Sequence, residues 1–529
     1  MNWRIIFPIA AGLIIGALLG NAAFGILLAI VFSYGANMRR REHVIHPDMQ
    51  VFKKKAIIPA IIIIIVLIGL IYFFRPWFHG LFMLFYSKPP ITFFVIFLVL
   101  TAVSGMFKRK VVTTVFSALM FISLITLMFT PLIEQNYIVD EMNYNKIDML
   151  PDSDDVRVLP SAVAHRYLED SLQKSRERVG PINIVNLDGT LSWVAPRIPD
   201  GNILYFTEKV NGLMVADATK TERETRFITD KLEVGEGIGI TDNIYWQLYK
   251  ERFFIDLGEI YYLSDNDSIT TVVPIISYKF RFPVMIPYYA GVFTISSEGE
   301  VSYLTPEEVT KREEFRGNRA FPESLARYYV DSYKYNQGVI NAWFLHKDQI
   351  EIADVYGQSN QQPFLMPTED GLKWVIATEP YGQSYGVFKI FLVDALTGKI
   401  DMLELDEEKT LTGPVRVVSY VKKQFPIIDW SSSNIIEPRP YVIDGTLYWM
   451  LSITPRDFAG IAYTVFVNSE NNNVLDFQED NAIQEFIRGG EIIEPEKTDD
   501  TSEDPIQDKI TQIEKALDEL KELLNSTQQ

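Results

Sequence analysis

Asp188-Gly189-Thr190-Leu191-Ser192-Trp193, Asp370-Gly371-Leu372-Lys373-Trp374 and Asp444-Gly445-Thr446-Leu447-Tyr448-Trp449 are three versions of one phrase. Asp-Gly supplies the positive φ of a tight turn, and the following Leu and Trp alternate onto one face of a strand. Each phrase leads through apolar residues to a proline: Pro196, Pro380 and Pro455. Each then meets another strand-like run with a polar turn, at 215–222, 393–400 and 467–470. The expected role of Trp193, Trp374 and Trp449 is core packing at equivalent places in three sheets. An exposed aromatic platform for a ligand is the other reading.

A second echo lies upstream. Ala164-His165-Arg166-Tyr167-Leu168-Glu169-Asp170-Ser171-Leu172 resembles Leu325-Ala326-Arg327-Tyr328-Tyr329-Val330-Asp331-Ser332-Tyr333, with Arg-Tyr-x-x-Asp-Ser in common. Apolar residues fall at helical spacing in both, and Gly180 and Gly338 follow as stops. Pro414–Phe425 is a shorter candidate helix before the third phrase. Arg166 with Asp170 and Arg327 with Asp331 are i,i+4 pairs, read as structural. Short alternating runs surround these elements, among them Ile182–Val185, Leu204–Phe206, Thr271–Tyr278, Val292–Ser296, Phe388–Val393 and Ala462–Val467. Their Val, Ile, Tyr, Phe and Thr content is that of strands. Ser297–Glu300 reads as a hairpin turn. The region 138–490 is therefore expected to be an α+β domain of repeated helix plus antiparallel-sheet units, with an insertion near 223–320.

The order of one helix followed by a small antiparallel sheet, ending in Val393-Asp394-Ala395-Leu396-Thr397-Gly398-Lys399-Ile400, resembles the PepSY domain family. Val215-Ala216-Asp217-Ala218-Thr219 lacks the glycine, and Val467-Asn468 matches less. The resemblance covers about 40 residues per unit. It implies small extracytoplasmic modules tied to peptidase regulation and the cell envelope, which bind or regulate rather than catalyse. It supplies no functional residues.

The first 137 residues have a different character. The chain has 529 residues, 49 Lys+Arg and 68 Asp+Glu, a net charge of −19. Residues 1–137 hold 12 basic and 3 acidic side chains, so the remainder is strongly acidic. That split excludes a single soluble globule. The acidic remainder argues against a nucleic-acid partner, which needs a basic face. A bilayer-spanning helix needs about 20 apolar residues. Ala56–Phe74, Ile91–Phe107 and Val111–Ile133 are such runs. Ile5–Tyr34 has no charge and is either one long span or a hairpin turning at Gly20-Asn21, so 1–137 is a multi-span α-helical membrane domain of four or five spans. It is not a cleavable signal peptide, because its n-region is nearly uncharged and more spans follow. Gly12, Gly16 and Gly20 share one helix face and suit close helix packing in lipid.

Lys and Arg set the orientation. Arg39–Arg41 with Lys53–Lys55, and Lys108–Lys110, mark cytoplasmic loops. Arg75–Pro90, with Trp77, Phe78, Phe82, Phe85 and Tyr86, reads as an external interfacial loop. Residues 138–529 then lie outside the cytoplasm. The absence of cysteine excludes disulfides, thiolate zinc sites and cysteine nucleophiles, and fits a bacterial cell surface. No Asp, Glu, Lys or Arg falls inside a clear span, which disfavours a transporter.

The C-terminus reads as an acidic linker, 491–505, then a short coiled-coil helix, 506–529. Ile506, Ile510, Ile513, Leu517, Leu520 and Leu524 make an a/d seam for self-association or docking. No catalytic motif, phosphate loop or dinucleotide fingerprint is present, and no cofactor is expected. His43 and His46 with Asp48 sit among arginines that repel a cation. His79 lies in the aromatic loop, and His165 and His346 stand alone. Asp152, Asp154 and Asp155, and Asp265 with Asp267, lack the full calcium-loop pattern. The leading expectation is a non-catalytic, membrane-anchored surface protein whose external units bind or scaffold envelope components. A channel or secretion subunit and an external hydrolase are the alternatives.

Overall fold

The computed structural model describes residues 62, 65–153, 157–265, 268–355, 362–382, 386–405, 411–457 and 459–489. Gly12, Gly16, Gly20, His43, His46 and the 506–524 seam lie outside the described residues.

Two helices, Pro89–Met106 and Lys110–Met128, are long and apolar enough to cross a membrane. Their side chains are mostly Val, Ile, Leu and Phe, and Ile96, Val99, Val115, Phe121 and Ile122 are exposed. An outward apolar surface of this kind suits a lipid environment. They pair through the tight turn at Phe107–Arg109, where Ser104 Oγ lies 2.9 Å from Thr113 Oγ1. The expected span Ala56–Phe74 is described only at Ile62 and from Ile65 onward, and there it is helical up to Phe73, where the run is expected to end. Helix Ile65–Phe73 bends by 101° into helix Arg75–Ser87. Pro76 at the helix start explains a fresh helix there. The stretch expected as an aromatic loop is thus largely helical. The last span is shorter than expected: Lys110–Met128 ends at Phe129, and Thr130–Glu141 begins a new helix with Pro131 in its first turn.

Four sheets follow. The first contains Glu177–Val179, Asn183–Leu187, Thr190–Pro199, Leu213–Asp217 and Thr225–Ile228, with helix Ser161–Ser171 before it. The second contains Ile350–Ile352, Phe364–Thr368, Gly371–Pro380, Lys389–Asp394 and Ile400–Glu404, after helix Glu323–Ser332. The third contains Ser433–Ile443, Thr446–Pro455, Tyr463–Asn468 and Val474–Phe477, after helix Pro414–Gln424. All three run as antiparallel meanders. The second is mixed, because Tyr144–Ile147 adds to its edge in parallel with Ile400–Glu404. That strand follows the helical region directly and ties it to the middle of the domain.

Between the first and second sheets stands an inserted five-stranded sheet built on the long hairpin Ser268–Arg281 and Val284–Ser296. Its ladder shifts register at Gly291, where φ is +111° and a Cβ would lie 2.1 Å from the Leu304 carbonyl oxygen. Only glycine fits that bulge. The Ser297–Glu300 turn joins Val292–Ser296 to Val301–Leu304 as the sequence suggests, with Val292 opposite Leu304. Leu204–Phe206, expected as a strand, is a short helix, Leu204–Thr207. A three-residue apolar run does not distinguish the two.

The cores are continuous across units. Trp193, Leu325, Trp374 and Phe391 share one buried cluster, so the first and second units pack on each other. Val375, Leu392, Val442 and Trp449 share another, joining the second and third. Helix Asp480–Ile487 closes the far face of the third sheet with Ile483, Phe486 and Ile487.

Candidate functional site

The three tryptophans are buried, at 5, 3 and 0 % exposure for Trp193, Trp374 and Trp449. Each lies on the strand after its turn, two residues beyond Leu191, Leu372 or Leu447. Each faces the residue just before an Asp or Asn on the next strand: Ala216, Val393 and Val467. Each indole Nε1–H donates to a backbone carbonyl two residues before the helix of its unit. The acceptors are Leu159, Phe321 and Thr412, at 2.9, 3.2 and 2.7 Å. The same three residues donate their own N–H groups to the carbonyls of Ala218, Ala395 and Ser469. The indole is a donor-only group, so one well-placed carbonyl satisfies it in the core.

The turns are not identical. Asp188-Gly189 and Asp444-Gly445 have positive φ at both residues. In the middle case Thr368 pairs with Gly371, so the two loop residues are Glu369-Asp370 and the glycine starts the strand. The helical echo is also displaced. Counted from the accepting carbonyl, Tyr167 is level with Tyr329 and Tyr420, not with Tyr328. Asp170 faces Arg223 at 3.6 Å, and Asp331 pairs with Lys334 at 2.8 Å.

The charged residues that converge on a cavity were not singled out by sequence, although two of the expected tryptophans line it. A cavity of about 310 Å³ opens between the first and second units, lined by Arg157, Trp193, Glu259, Arg319, Glu323 and Trp374, among others. Arg157 precedes Leu159-Pro160 as Arg319 precedes Phe321-Pro322. Each guanidinium lies over its own unit's tryptophan, 4.5 Å for Arg157 on Trp193 and 5.6 Å for Arg319 on Trp374. Each takes a glutamate from elsewhere. Arg157 Nη2 donates to Glu437 at 2.6 Å, and Arg319 Nη1 to Glu259 at 2.9 Å.

Glu437 does more than pair. Its second oxygen accepts the Ser161 backbone N–H at 2.9 Å, at the start of helix Ser161–Ser171. A carboxylate there meets an otherwise orphaned donor and the positive end of the helix dipole. Glu437 reaches this position from a bulge in the third sheet, at φ +49°. Arg439, two residues on, donates to the carbonyls of Arg157 and Val158 at 2.5 and 3.1 Å. The third unit therefore grips the entry to the first helix. Burial lowers the Arg157 pKa to about 10, with Glu437 opposing and Arg439 adding to the fall. Burial raises Glu323 to about 7, helped by Glu259 and opposed by Arg319. For the charged members of this cluster, the local signal in the sequence is the Arg-x-x-Pro ahead of two helices.

A larger cavity, about 700 Å³, lies between helix Glu323–Ser332 and the edge of the second sheet, with Arg327, Tyr328, Asp331, Glu351, Asp354 and Glu379 on its walls. Burial raises Glu379 to about 7, with Asp354 and Glu351 adding and Arg416 opposing. Among the described residues no group of three or more His, Asp or Glu could hold a metal ion.

The domain is also fastened to the helices below it. His79 Nε2 lies 2.9 Å from the Ile255 carbonyl, and its ring stacks on Tyr249 at 3.7 Å. Trp246 Nε1 donates to the Phe73 carbonyl at 3.0 Å. Gln135 donates to Asp331 at 2.7 Å, and Tyr328 to Glu134 at 3.0 Å. Burial raises the Glu134 pKa to about 7, against the pull of Tyr328 and Lys88. His165 lies 3.5 Å from Glu169, and His346 stacks on Tyr381.

No family model matches the chain, and no curated protein matches it by sequence. The PepSY resemblance expected from the sequence therefore has no support from a family model.

Proposed function

We propose that the chain is a multi-pass membrane protein that holds a non-catalytic α+β domain on the outer face of a cell membrane, where the domain binds or scaffolds other envelope components. The observation that carries this reading is the pairing of two buried arginines, Arg157 with the largely buried Glu437 and Arg319 with the half-exposed Glu259. Arg157 and Glu437, and Arg319 and Glu259, are consumed in joining the units to one another. Both pairs serve as fasteners between elements of different sheets. The shared indole-to-carbonyl bond supports three copies of one helix-plus-meander unit, of PepSY-like order. The Lys108–Lys110 turn supports the external placement of the domain, because the domain packs on the opposite ends of the two spans. The 506–524 seam adds self-association, which Ile513→Asp with Leu517→Asp should weaken in detergent.

The test is site-specific photocrosslinking in intact cells at Met149, Phe206 and Ile427, which are 65, 62 and 97 % exposed. Discrete adducts with the same envelope partners from more than one position are expected. No adduct at any of the three, together with turnover of cell-wall or peptide substrates, overturns the reading. The hydrolase alternative draws on Glu379, and loss of such turnover in Glu379→Gln would favour it.

A further inference from the structure

Four large apolar side chains crowd six residues of the second unit. Ile340, Trp343, Phe344 and Leu345 are 72, 47, 73 and 70 % exposed. The segment that carries them is a wide single turn of helix, Asn341–Leu345, ended by His346 in the left-handed conformation. It is held rather than loose. Asn341 Nδ2 donates to the Lys347 carbonyl at 2.8 Å, and the Lys347 N–H returns to Asn341 Oδ1 at 3.1 Å. His346 stacks face to face on Tyr381 at 4.0 Å and lies 2.6 Å from Gln349 Oε1. A turn fixed at both ends with its apolar residues outward is costly in water.

Its place in the fold says what covers it. Trp343 packs on Phe129, with ring centroids 6.0 Å apart. Phe129 is the residue that ends the apolar helix Lys110–Met128, whose last residue, Met128, is 76 % exposed. The exposed apolar face is therefore continuous with the lipid-facing surface of the span, at the level where the chain leaves it. The unit cannot rock away from this level. Asp331 binds Gln135 and Lys334, and so pins the preceding helix onto Thr130–Glu141. Tryptophan at this depth matches the aromatic belt of a bilayer, and Lys347 stands exposed next to the patch for headgroup phosphates.

We propose that Ile340, Trp343, Phe344 and Leu345 form a second membrane contact, a wedge that dips into the outer headgroup layer beside the last span. The occupant is lipid, not another protein. This rests on the reading of Lys110–Met128 as a membrane span. The wedge adds a lipid contact to the helix contacts that already set the height of the domain, and extends its hold on the bilayer beyond the spans.

The chain has no cysteine, so single probes can be placed cleanly. Phe344→Cys, Met128→Cys and Ile427→Cys, each carrying a small environment-sensitive fluorophore, are compared in full-length protein in nanodiscs. The discs are made with ordinary or brominated phosphatidylcholine, and each variant is checked for an unchanged thermal transition. The expected result is bromine quenching at Phe344 within about twofold of that at Met128, and none at Ile427. Quenching at Met128 but not at Phe344, with Phe344 open to iodide, overturns the wedge and leaves the span intact. A Phe344 probe shielded from both bromine and iodide overturns it in favour of a protein partner. Absence of quenching at Met128 removes the membrane reading itself, and the wedge with it.

Discussion

Removing the Glu437 carboxylate should be among the most damaging changes of one side chain in the domain. Its two oxygens hold Arg157 at 2.6 Å and the Ser161 N–H at 2.9 Å. Arg157 is buried, and Arg439 beside it brings a second positive charge. Breaking a buried ion pair from one side costs about 3–5 kcal/mol, because the remaining charge keeps its desolvation penalty. Loss of the acceptor at the helix start adds about 1 kcal/mol. Discounting for relaxation, Glu437→Ala should cost about 4 kcal/mol. At roughly 2 °C per kcal/mol for a domain of this size, that is a fall of about 8 °C in the thermal transition. The assay is tryptophan fluorescence on heating full-length protein in detergent. Adding Arg157→Met to Glu437→Ala removes the stranded charge and should recover about half of the loss. A Glu437→Ala transition within about 2 °C of the parent, or no recovery in the double variant, would refute the view that these charges clamp the units together.

Other outcomes follow from the same geometry. Trp449→Ala, at a fully buried position, should cost about 3–5 kcal/mol in urea titration of the domain, while Trp449→Phe should lose less and report mainly the bond to Thr412. Glu134, raised to about 7 by burial, binds a proton more tightly folded than unfolded. Its contribution is therefore favourable at low pH and is lost as pH rises from about 4.5 through 7, by at most about 3 kcal/mol. Glu134→Gln should flatten that part of a stability–pH profile and raise stability at pH 8. Gly212→Ala should destabilise sharply in the same titrations, because φ is +93° and a Cβ would sit 2.0 Å from the Ile228 carbonyl oxygen.

The sequence carried the elements whose signals are local. The Asp-Gly turns place Trp193, Trp374 and Trp449, since turn chemistry and strand alternation are written within ten residues. The helices at Ser161, Glu323 and Pro414 follow from apolar spacing. Other features depend on tertiary context. Arg75–Ser87 reads as a loop because its aromatics are spread around it, and most of their partners, Tyr249, Phe253, Phe254 and Tyr278, come from the inserted region. The helical echo is one residue out of step with the packing, because identical letters at Arg-Tyr outweighed the burial pattern. The clamp was the least legible part. Glu437 is 280 residues from Arg157 in the chain, and a bulge with positive φ brings it there, with no local pattern to announce it. Charged residues in an acidic domain read as solvated surface until the fold shows which are buried.

The central claim is that the acidic domain stands outside a membrane that the apolar helices cross. The cysteine-free chain allows a direct measurement: membrane-impermeant maleimide labelling of Glu298→Cys, in the exposed hairpin of the inserted sheet, and of Arg109→Cys, in the turn between the two spans. Labelling of Glu298→Cys in intact cells, with Arg109→Cys labelled only after permeabilisation, is the result the account predicts. Labelling of Arg109→Cys in intact cells with Glu298→Cys protected would contradict it.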